Sequence, residues 1–319
     1  MGETTGRITL WGVEVFAAIA DERSISAAAR RLGASPSSVS QQLANLETAV
    51  GTSLIDRSAR PLTCTPAGEL FRRRALAILN EAEQARAELA AADMTRLSRF
   101  RIGMIEDFDA DVTPALLTEL AHDWPRTQFL LETGASHRLF DQLEARALDL
   151  VVSADMGEAA EGQEVHPLLE EPFVAAVPRG RLGENRLEEL RALPLVQYSA
   201  RHFMGRQIAS HLATQDLRLS HRFELDSYHA ILSMVAAGAG WTILTPLGVL
   251  RAQRFVGDVD IIELPFPTFT RRITLTARRG VLGDLPGDVA RRMKRHLGEM
   301  IITPFHERMP WLADKMRVL

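Results

Sequence analysis

The chain has 319 residues, 46% of them hydrophobic, with a formal net charge of −4. That length and core-forming fraction predict two or three globular domains, and the near-neutral balance excludes a polycation that coats nucleic acid without choosing a sequence. A single cysteine, Cys64, excludes an internal disulfide framework; no apolar run reaches the length of a membrane span, and no basic-then-apolar export signal opens the chain, so a cytoplasmic protein with no membrane partner is expected.

Residues 8–20, ITLWGVEVFAAIA, place Leu10, Val13, Phe16, Ala17 and Ala20 at helical spacing and predict a first helix. The stretch from Ser24 to Leu46, SISAAARRLGASPSSVSQQLANL, predicts two short helices around a tight turn. Ser26 is placed to cap the first, Ala27–Leu32 fill it, and Gly33 supplies the left-handed position that ends it. Ser35 caps the second, with Pro36 at the first helical position, where a missing N–H costs nothing. Val39, Leu43 and Leu46 form a buried stripe on that helix. Its other face carries Pro36, Ser37, Ser40 and Gln41, with Gln42 and Asn45 nearer the seam. Small hydroxyls and amides suit base edges in a major groove. A solvated polar face would have the same composition; the capped helix-turn-helix around it favours DNA.

Gly51–Thr65 predicts a short hairpin or wing, with Arg57 and Arg60 in reach of phosphates or a minor groove, or simply solvated. The first 98 residues hold eleven arginines and eleven acidic residues, a balance that leaves room for a specific DNA binder with local basic clusters. From Pro66, capped by Thr65, a long helix is predicted to about Asp93, with Phe71, Ala75, Ile78, Ala82, Ala85, Leu89 and Ala92 as a coiled-coil seam. A second copy of the chain is the expected partner of that seam, giving a homodimer that faces a palindromic site.

Beyond Ser98 strand and helix signals alternate. The pattern reads strand 100–105, helix 111–122, strand 128–132, helix 138–145 and strand 148–153, which implies a mainly parallel sheet with helices on its faces. Gly157–Glu164 reads as a crossover to a second α/β set, with strands at 173–177, 195–198, 222–225 and 242–244 and helices at 204–214 and 228–237. The chain returns through Pro265 to a strand at 272–276 and a helix at 288–300, and the tail from Thr303 is expected to pack through Phe305, Met309, Trp311 and Leu312.

The stretch FAAIADERSISAAARRLGASPSSVSQQLANLE, then GTSLIDRSARPLTCTPAGELF, and later FRIG, LEARALDLVV and MVAAGAGWTILTP resemble a LysR-type transcriptional regulator over essentially the whole chain. The resemblance implies an α/β protein with an N-terminal winged helix-turn-helix at 1–65, a dimerisation linker helix at 66–93 and a two-lobed effector domain at 94–319 that resembles type 2 periplasmic binding proteins. Lobe I would span about 98–157 and 267–302, lobe II about 163–266, with a tail at 303–319. It also implies a homotetramer acting at promoter or operator DNA under a small-molecule effector. The sequence departs from the family at Pro36, where glutamine is common, at Cys64, where an aliphatic residue is usual, and at Glu106 and Asp107, where small or hydroxyl residues follow FRIG. Its tail is also longer.

Ligands of two-lobed α/β domains sit between the lobes, near strand C-termini and helix N-termini. Those places are Ile105, Glu106 and Asp107, Ser136 and His137, and Ser153 in the first lobe. In the second they are Arg201, His202 and Phe203, Asp226 with Ser227, and Thr245. By resemblance, Asp107, Ser136 and Arg201–Phe203 fall on effector-lining positions, with Ser136 also capping its helix. Asp226 could equally cap the helix that follows it. Two carboxylates at the cleft mouth favour a cationic or zwitterionic effector, unless Arg138 or Arg201 neutralises them internally. For DNA, Ser37, Ser40, Gln41 and Gln42 would read bases, Ser35 and Ser38 would meet phosphate, and Arg57 and Arg60 would brace the wing.

Catalysis finds no motif. GASHR at Gly134 lacks the second glycine of a nucleophile elbow, and GAGWTI at Gly238 has Ile243 where a dinucleotide loop needs glycine. The nine histidines are scattered, so no metal or cofactor is expected. The alternatives to a regulator are a solute-binding protein and, behind it, an α/β enzyme.

Overall fold

The computed structural model describes residues 7–90, 97–157, 162–217 and 219–319, in an N-terminal unit ending at Ala92 and a C-terminal unit beginning at Asp93. In the first, Thr9 opens α1 (Leu10–Glu22) by accepting from the Gly12 amide at 3.1 Å. Val13, Val15, Phe16 and Ile19 are buried. Leu10 is exposed, outside the arc that faces the other helices, and Ala20 is half-buried, packed at the margin of the core. Helix α2 (Ile25–Leu32) is capped by Ser24, not Ser26: the Ser24 backbone is extended and its hydroxyl accepts from Ala27 N at 3.3 Å. The helix starts earlier because Ile25 already packs on the core. Gly33 ends it at φ 63°, as the turn requires.

Helix α3 (Pro36–Val50) follows the predicted design. Ser35 Oγ accepts from Ser38 N at 3.2 Å, and Val39, Leu43 and Leu46 are buried. Strands β1 (Ile55–Asp56) and β2 (Thr63–Cys64) pair antiparallel as the wing. Thr65 Oγ1 then accepts from Gly68 N at 3.0 Å to open α4 (Pro66–Ala90). Gly68 permits a close crossing: a Cβ there would stand 1.9 Å from the Leu54 carbonyl oxygen. The seam expected on α4 is partly spent inside the unit. Phe71 meets Phe16 edge-on at 5.3 Å and Ala75 is fully buried, while Leu70, Leu76 and Ile78 stay exposed. Ala92 and the side chain of Leu89 lie outside the described residues.

The C-terminal unit opens with β3 (Arg99–Met104), α5 (Val112–Asp123), β4 (Gln128–Thr133), α6 (Ser136–Glu144) and β5 (Leu150–Ala154). The three strands are parallel. The expected crossover at 157–164 falls partly on 158–161, outside the described residues; Gln163 and Glu164 already begin β6 (Gln163–Pro172). A second layer follows: β7 (Val174–Pro178), α7 (Arg186–Ala192), β8 (Leu195–Tyr198), α8 (Phe203–Thr214), β9 (His221–Leu225), α9 (Tyr228–Ala236), β10 (Thr242–Leu244), α10 (Pro246–Arg251) and β11 (Val259–Glu263). The return is β12 (Thr270–Arg278), α11 (Leu285–His296), a π-helical turn at Leu297–Ile302, α12 (Thr303–Arg308) and β13 (Arg317–Val318).

Two sheets result. One has the order β13-β6-β12-β5-β3-β4, with β12 antiparallel to both β5 and β6; the other joins β10-β7-β11 to the parallel pair β8-β9 through a Leu195–Trp241 bridge. The first sheet is thus half antiparallel, not mainly parallel, because the strands that leave and re-enter it lie side by side. The chain crosses between sheets twice, at Phe173 and after Glu263. The crossings are pinned together: the Phe173 and Phe269 rings stack at 3.9 Å, and Phe173 N donates to Phe269 O at 2.8 Å.

Candidate DNA interface and effector cleft

On α3 the face opposite the buried stripe is open to solvent. Ser35, Pro36, Ser37, Ser38, Gln41 and Asn45 are exposed, and Ser40 and Gln42 are half-buried. Gln41 Nε2 donates to Asn45 Oδ1 at 3.0 Å, so the two amides form one ordered edge of donors and acceptors. Ser35 and Ser37 hydroxyls lie 3.0 Å apart at the helix N-terminus, where backbone N–H groups favour an anion such as phosphate.

The wing is held by a residue that sequence reasoning missed. Glu47, on the last turns of α3, accepts from Leu54 N at 2.8 Å, from Ile55 N at 3.2 Å and from Arg57 at 2.9 Å. One carboxylate therefore fixes the first wing strand against the recognition helix. Arg57 is spent on Glu47, and Arg60 donates to the carbonyls of Arg57 at 2.8 Å and Ala59 at 2.9 Å. Both arginines order the wing from within while remaining exposed.

In the C-terminal unit, residues of both sheets converge at the crossovers. Asp107, in the turn after β3, and Thr245, which caps α10, meet on Arg271 of β12. The guanidinium Nη2 donates to Asp107 Oδ2 at 3.2 Å and to Thr245 Oγ1 at 3.1 Å, and Nε donates to Glu171 Oε1 at 2.6 Å. Glu171 Oε2 accepts from Leu247 N at 3.0 Å. All four side chains are buried. Burial works against the Arg271 charge, but Asp107 and Glu171 outweigh it and hold the guanidinium firmly protonated. Burial likewise pushes the Glu171 carboxyl above its usual range, with Arg271 pulling the other way. The internal cation that answers Asp107 is therefore Arg271, not Arg138 or Arg201 as the sequence suggested.

Arg201 instead reaches Asp226 at 3.4 Å, and His202 stands 3.8 Å from the same carboxylate. Asp226 does not cap α9; Ser227 does, accepting from Ala230 N at 3.5 Å. The His202 ring faces His137 at 6.2 Å and Tyr198 at 5.8 Å. Tyr198 is a second residue the sequence reading missed. Burial pushes its hydroxyl up to about 12, and the charges of Asp107, Glu106 and Asp226 add to that against Arg271. Phe203 opens α8 beside them, half-buried.

Three expected cleft residues serve the framework. Ile105 is packed in the core and Ser153 is buried within β5, its hydroxyl donating to Ala154 O at 3.3 Å. Ser136 is the first residue of α6 and does not cap it; its hydroxyl accepts from Ala154 N at 3.2 Å and ties the helix to β5. Among the described residues no group of three or more His, Cys, Asp or Glu could hold a metal ion, and no helix is long and apolar enough to cross a membrane.

Residues 10–69 match the model for the bacterial regulatory helix-turn-helix protein, lysR family, and residues 96–296 match the LysR substrate binding domain. The chain belongs to the LysR family. It is a DNA-binding transcriptional regulator with an effector-binding domain, and not an enzyme. It is 33% identical over 180 residues to a probable hydrogen peroxide-inducible genes activator of Mycobacterium xenopi, covering 56% of this chain and 95% of that protein. A protein of the same description from Mycobacterium avium is 29% identical over 97% of this chain and 99% of its own length. Among solved structures, a full-length OxyR variant from Pseudomonas aeruginosa shares the fold with a TM-score of 0.65 at 23% identity, over 90% of this chain and 95% of that one.

Proposed function

We propose that this chain is a cytoplasmic regulator that binds a palindromic operator through α3 and the wing, as a homodimer joined by α4 and as a tetramer of two such dimers. Residues 1–65 form its DNA-binding domain, 66–93 its dimerisation helix and 94–319 its effector domain, with lobes at about 98–172 with 267–302 and at about 173–266, since β6 lies in the first sheet and not in the second lobe as the sequence suggested. On the DNA side, Ser37, Ser40, Gln41 and Gln42 read bases, Asn45 braces Gln41, Ser35 and Ser38 meet phosphate, and Pro36 starts the helix without a contact donor. The small-molecule effector sits where Asp107, His137, Arg201, His202, Phe203, Asp226 and Thr245 come together. The observation that carries this reading is the Arg271 cluster, since it joins side chains from both sheets at the crossovers, where a bound molecule changes the lobe angle. Lobe movement then shifts how far apart the two recognition helices are held.

The relatives' description points to peroxide as a signal. Here the one cysteine, Cys64, lies in the wing, where burial, and then the charge of Glu69, keep its thiol above the usual range and hence protonated and slow to react. A two-thiol switch cannot form within one copy of this chain, so the cleft is the assigned sensor. Peroxide should leave the operator gel shift of both wild type and Cys64→Ser unchanged; a shift lost on oxidation in wild type alone would move sensing to the wing.

The decisive test is a gel-shift titration on the DNA upstream of the protein's own gene, with excess competitor and at two salt concentrations. A band that survives competitor supports a specific operator, and its footprint gives the half-site spacing. Failure on that fragment and on a genome-wide DNA pool would overturn the regulator reading.

A further inference from the structure

The charges around Tyr198 do not cancel. Arg271 is shared by two buried carboxylates, Glu171 at 2.6 Å and Asp107 at 3.2 Å, and Arg201 is answered by Asp226. With two carboxylates on one guanidinium and Glu106 exposed beside them, negative charge exceeds these cations, and Asp107 and Glu106 both add to the upward push on the Tyr198 hydroxyl. Asp107 is only 6% exposed and accepts Arg271 through Oδ2 alone; its Oδ1 has no hydrogen-bond partner. A buried carboxylate oxygen without a donor is costly, and a ligand N–H or N–H⁺ would remove that cost. The surrounding walls are aromatic. Tyr198 lies 5.3 Å from Tyr228 and 5.8 Å from His202 between ring centroids, and His202 stands 3.8 Å from the Asp226 carboxylate. Negative charge with an unmet acceptor beside aromatic rings is the chemistry that selects an organic cation.

We infer that the effector of this cleft carries a protonated nitrogen that donates to Asp107 Oδ1 and lies against the Tyr198 ring, with Glu106 adding charge at the entrance. The inference rests on the cleft being the effector site. It reverses the usual preference for anions at helix N-termini: a carboxylate in the same place would meet Asp107 and Glu106 head-on, with Arg271 already occupied.

The test uses the full chain and two probes of matched shape, 2-phenylethylamine and phenylacetate, each titrated to roughly 10 mM with thermal unfolding as the readout. The amine should raise the midpoint saturably and phenylacetate should not. Asp107→Asn should weaken the amine response about tenfold. Because Asp107 is paired with Arg271 and that variant can lose stability, Glu106→Gln serves as the second variant: Glu106 is exposed, and its loss should weaken the amine about twofold to threefold with the fold intact. An amine response equal in wild type and both variants, or no amine response at all, overturns the inference. A saturable phenylacetate response that disappears in His202→Ala would also overturn it while leaving the cleft as the effector site. Amine binding that is lost in Glu106→Gln but never alters operator binding would keep the cation site and remove its regulatory role.

Discussion

Glu47 shows how much of the DNA interface depends on one side chain that touches no DNA. Its two oxygens accept two wing amides and one guanidinium, and its side chain is 13% exposed, so little water competes for it. Hydrogen bonds to a charged group contribute about 1.5–3 kcal/mol each, and Glu47 accepts three of them. Glu47→Ala should lower operator affinity about tenfold to a hundredfold, with footprint protection lost at the wing and kept under α3. Glu47→Gln should fall between, since an amide oxygen still accepts from Leu54 and Ile55 but no longer pairs with Arg57. Uniform loss of protection would mean the helix itself had moved. At this scale the local signals were legible. Ser35, Pro36 and Gly33 act within four residues of their partners, and their roles follow from backbone chemistry alone. Ser24 against Ser26 is a choice between two equal caps that only the packing of Ile25 decides. Asp107 and Arg271 stand 164 residues apart, and no local pattern in TRRITLTARR marks which arginine turns inward.

Elements were legible where their period was clean and obscure where proline interrupted it. Strands β8 and β10 carry the predicted bounds. β6 was missed because Pro167 and Pro172 argue against a strand, yet Pro167 sits next to a register shift against β12, the one kind of place where an interior strand accepts proline. Ion pairs add to the packing of α11 on α5, where Leu116, Leu120, Val289 and Met293 are buried in the core. Glu119 of α5 accepts from Arg295 at 2.5 Å, from Arg292 at 3.1 Å and from His296 at 2.9 Å. The Arg295 hydrogen bond, the largest influence, outweighs burial and holds the Glu119 carboxyl below its ordinary value of 4.5. A carboxyl whose folded pKa is depressed contributes stability above its unfolded pKa and loses it as pH falls through the folded value. Wild type should therefore melt higher than Glu119→Gln at pH 7, and the gap should close below pH 4 or so. The pairs are partly exposed, so the gap should stay small, about 1 kcal/mol or less, and shrink in high salt. A gap that is constant with pH would assign the effect to packing.

Over the whole C-terminal unit, the two-lobed plan was readable from alternating elements, while its clasp was not. Residues 303–319 were expected to pack, and they do so across both sheets. β13 adds to the edge of β6, with Leu319 N donating to Leu168 O at 3.0 Å and Arg317 reaching Glu170 at 2.9 Å. Lys315 meets Glu263 on β11 of the other sheet at 2.6 Å, and Leu312 and Met316 are fully buried between these anchors. The fit is not perfect: a cavity of about 250 Å³ remains between Val249, Leu250 and Val256 on one side and Met300, Phe305 and Met309 on the other. A segment bound to both lobes resists any change in the angle between them. Ending the chain after Ala313 removes Met316 and β13 and should cost about 2–5 kcal/mol by analogy with emptying a core position. That corresponds to a fall of about 5–15 °C in the midpoint for a unit of this size. Lys315→Ala breaks an exposed pair and a contact over the Trp311 ring at 6.0 Å, and should change the midpoint by about a degree or less. Hydrogen exchange at β11 and at the Phe173 crossover should rise in the truncated chain and stay as in wild type in Lys315→Ala. Equal exchange in all three would show that the tail adds stability without restraining the lobes, because a clasp must slow opening at the strands it joins.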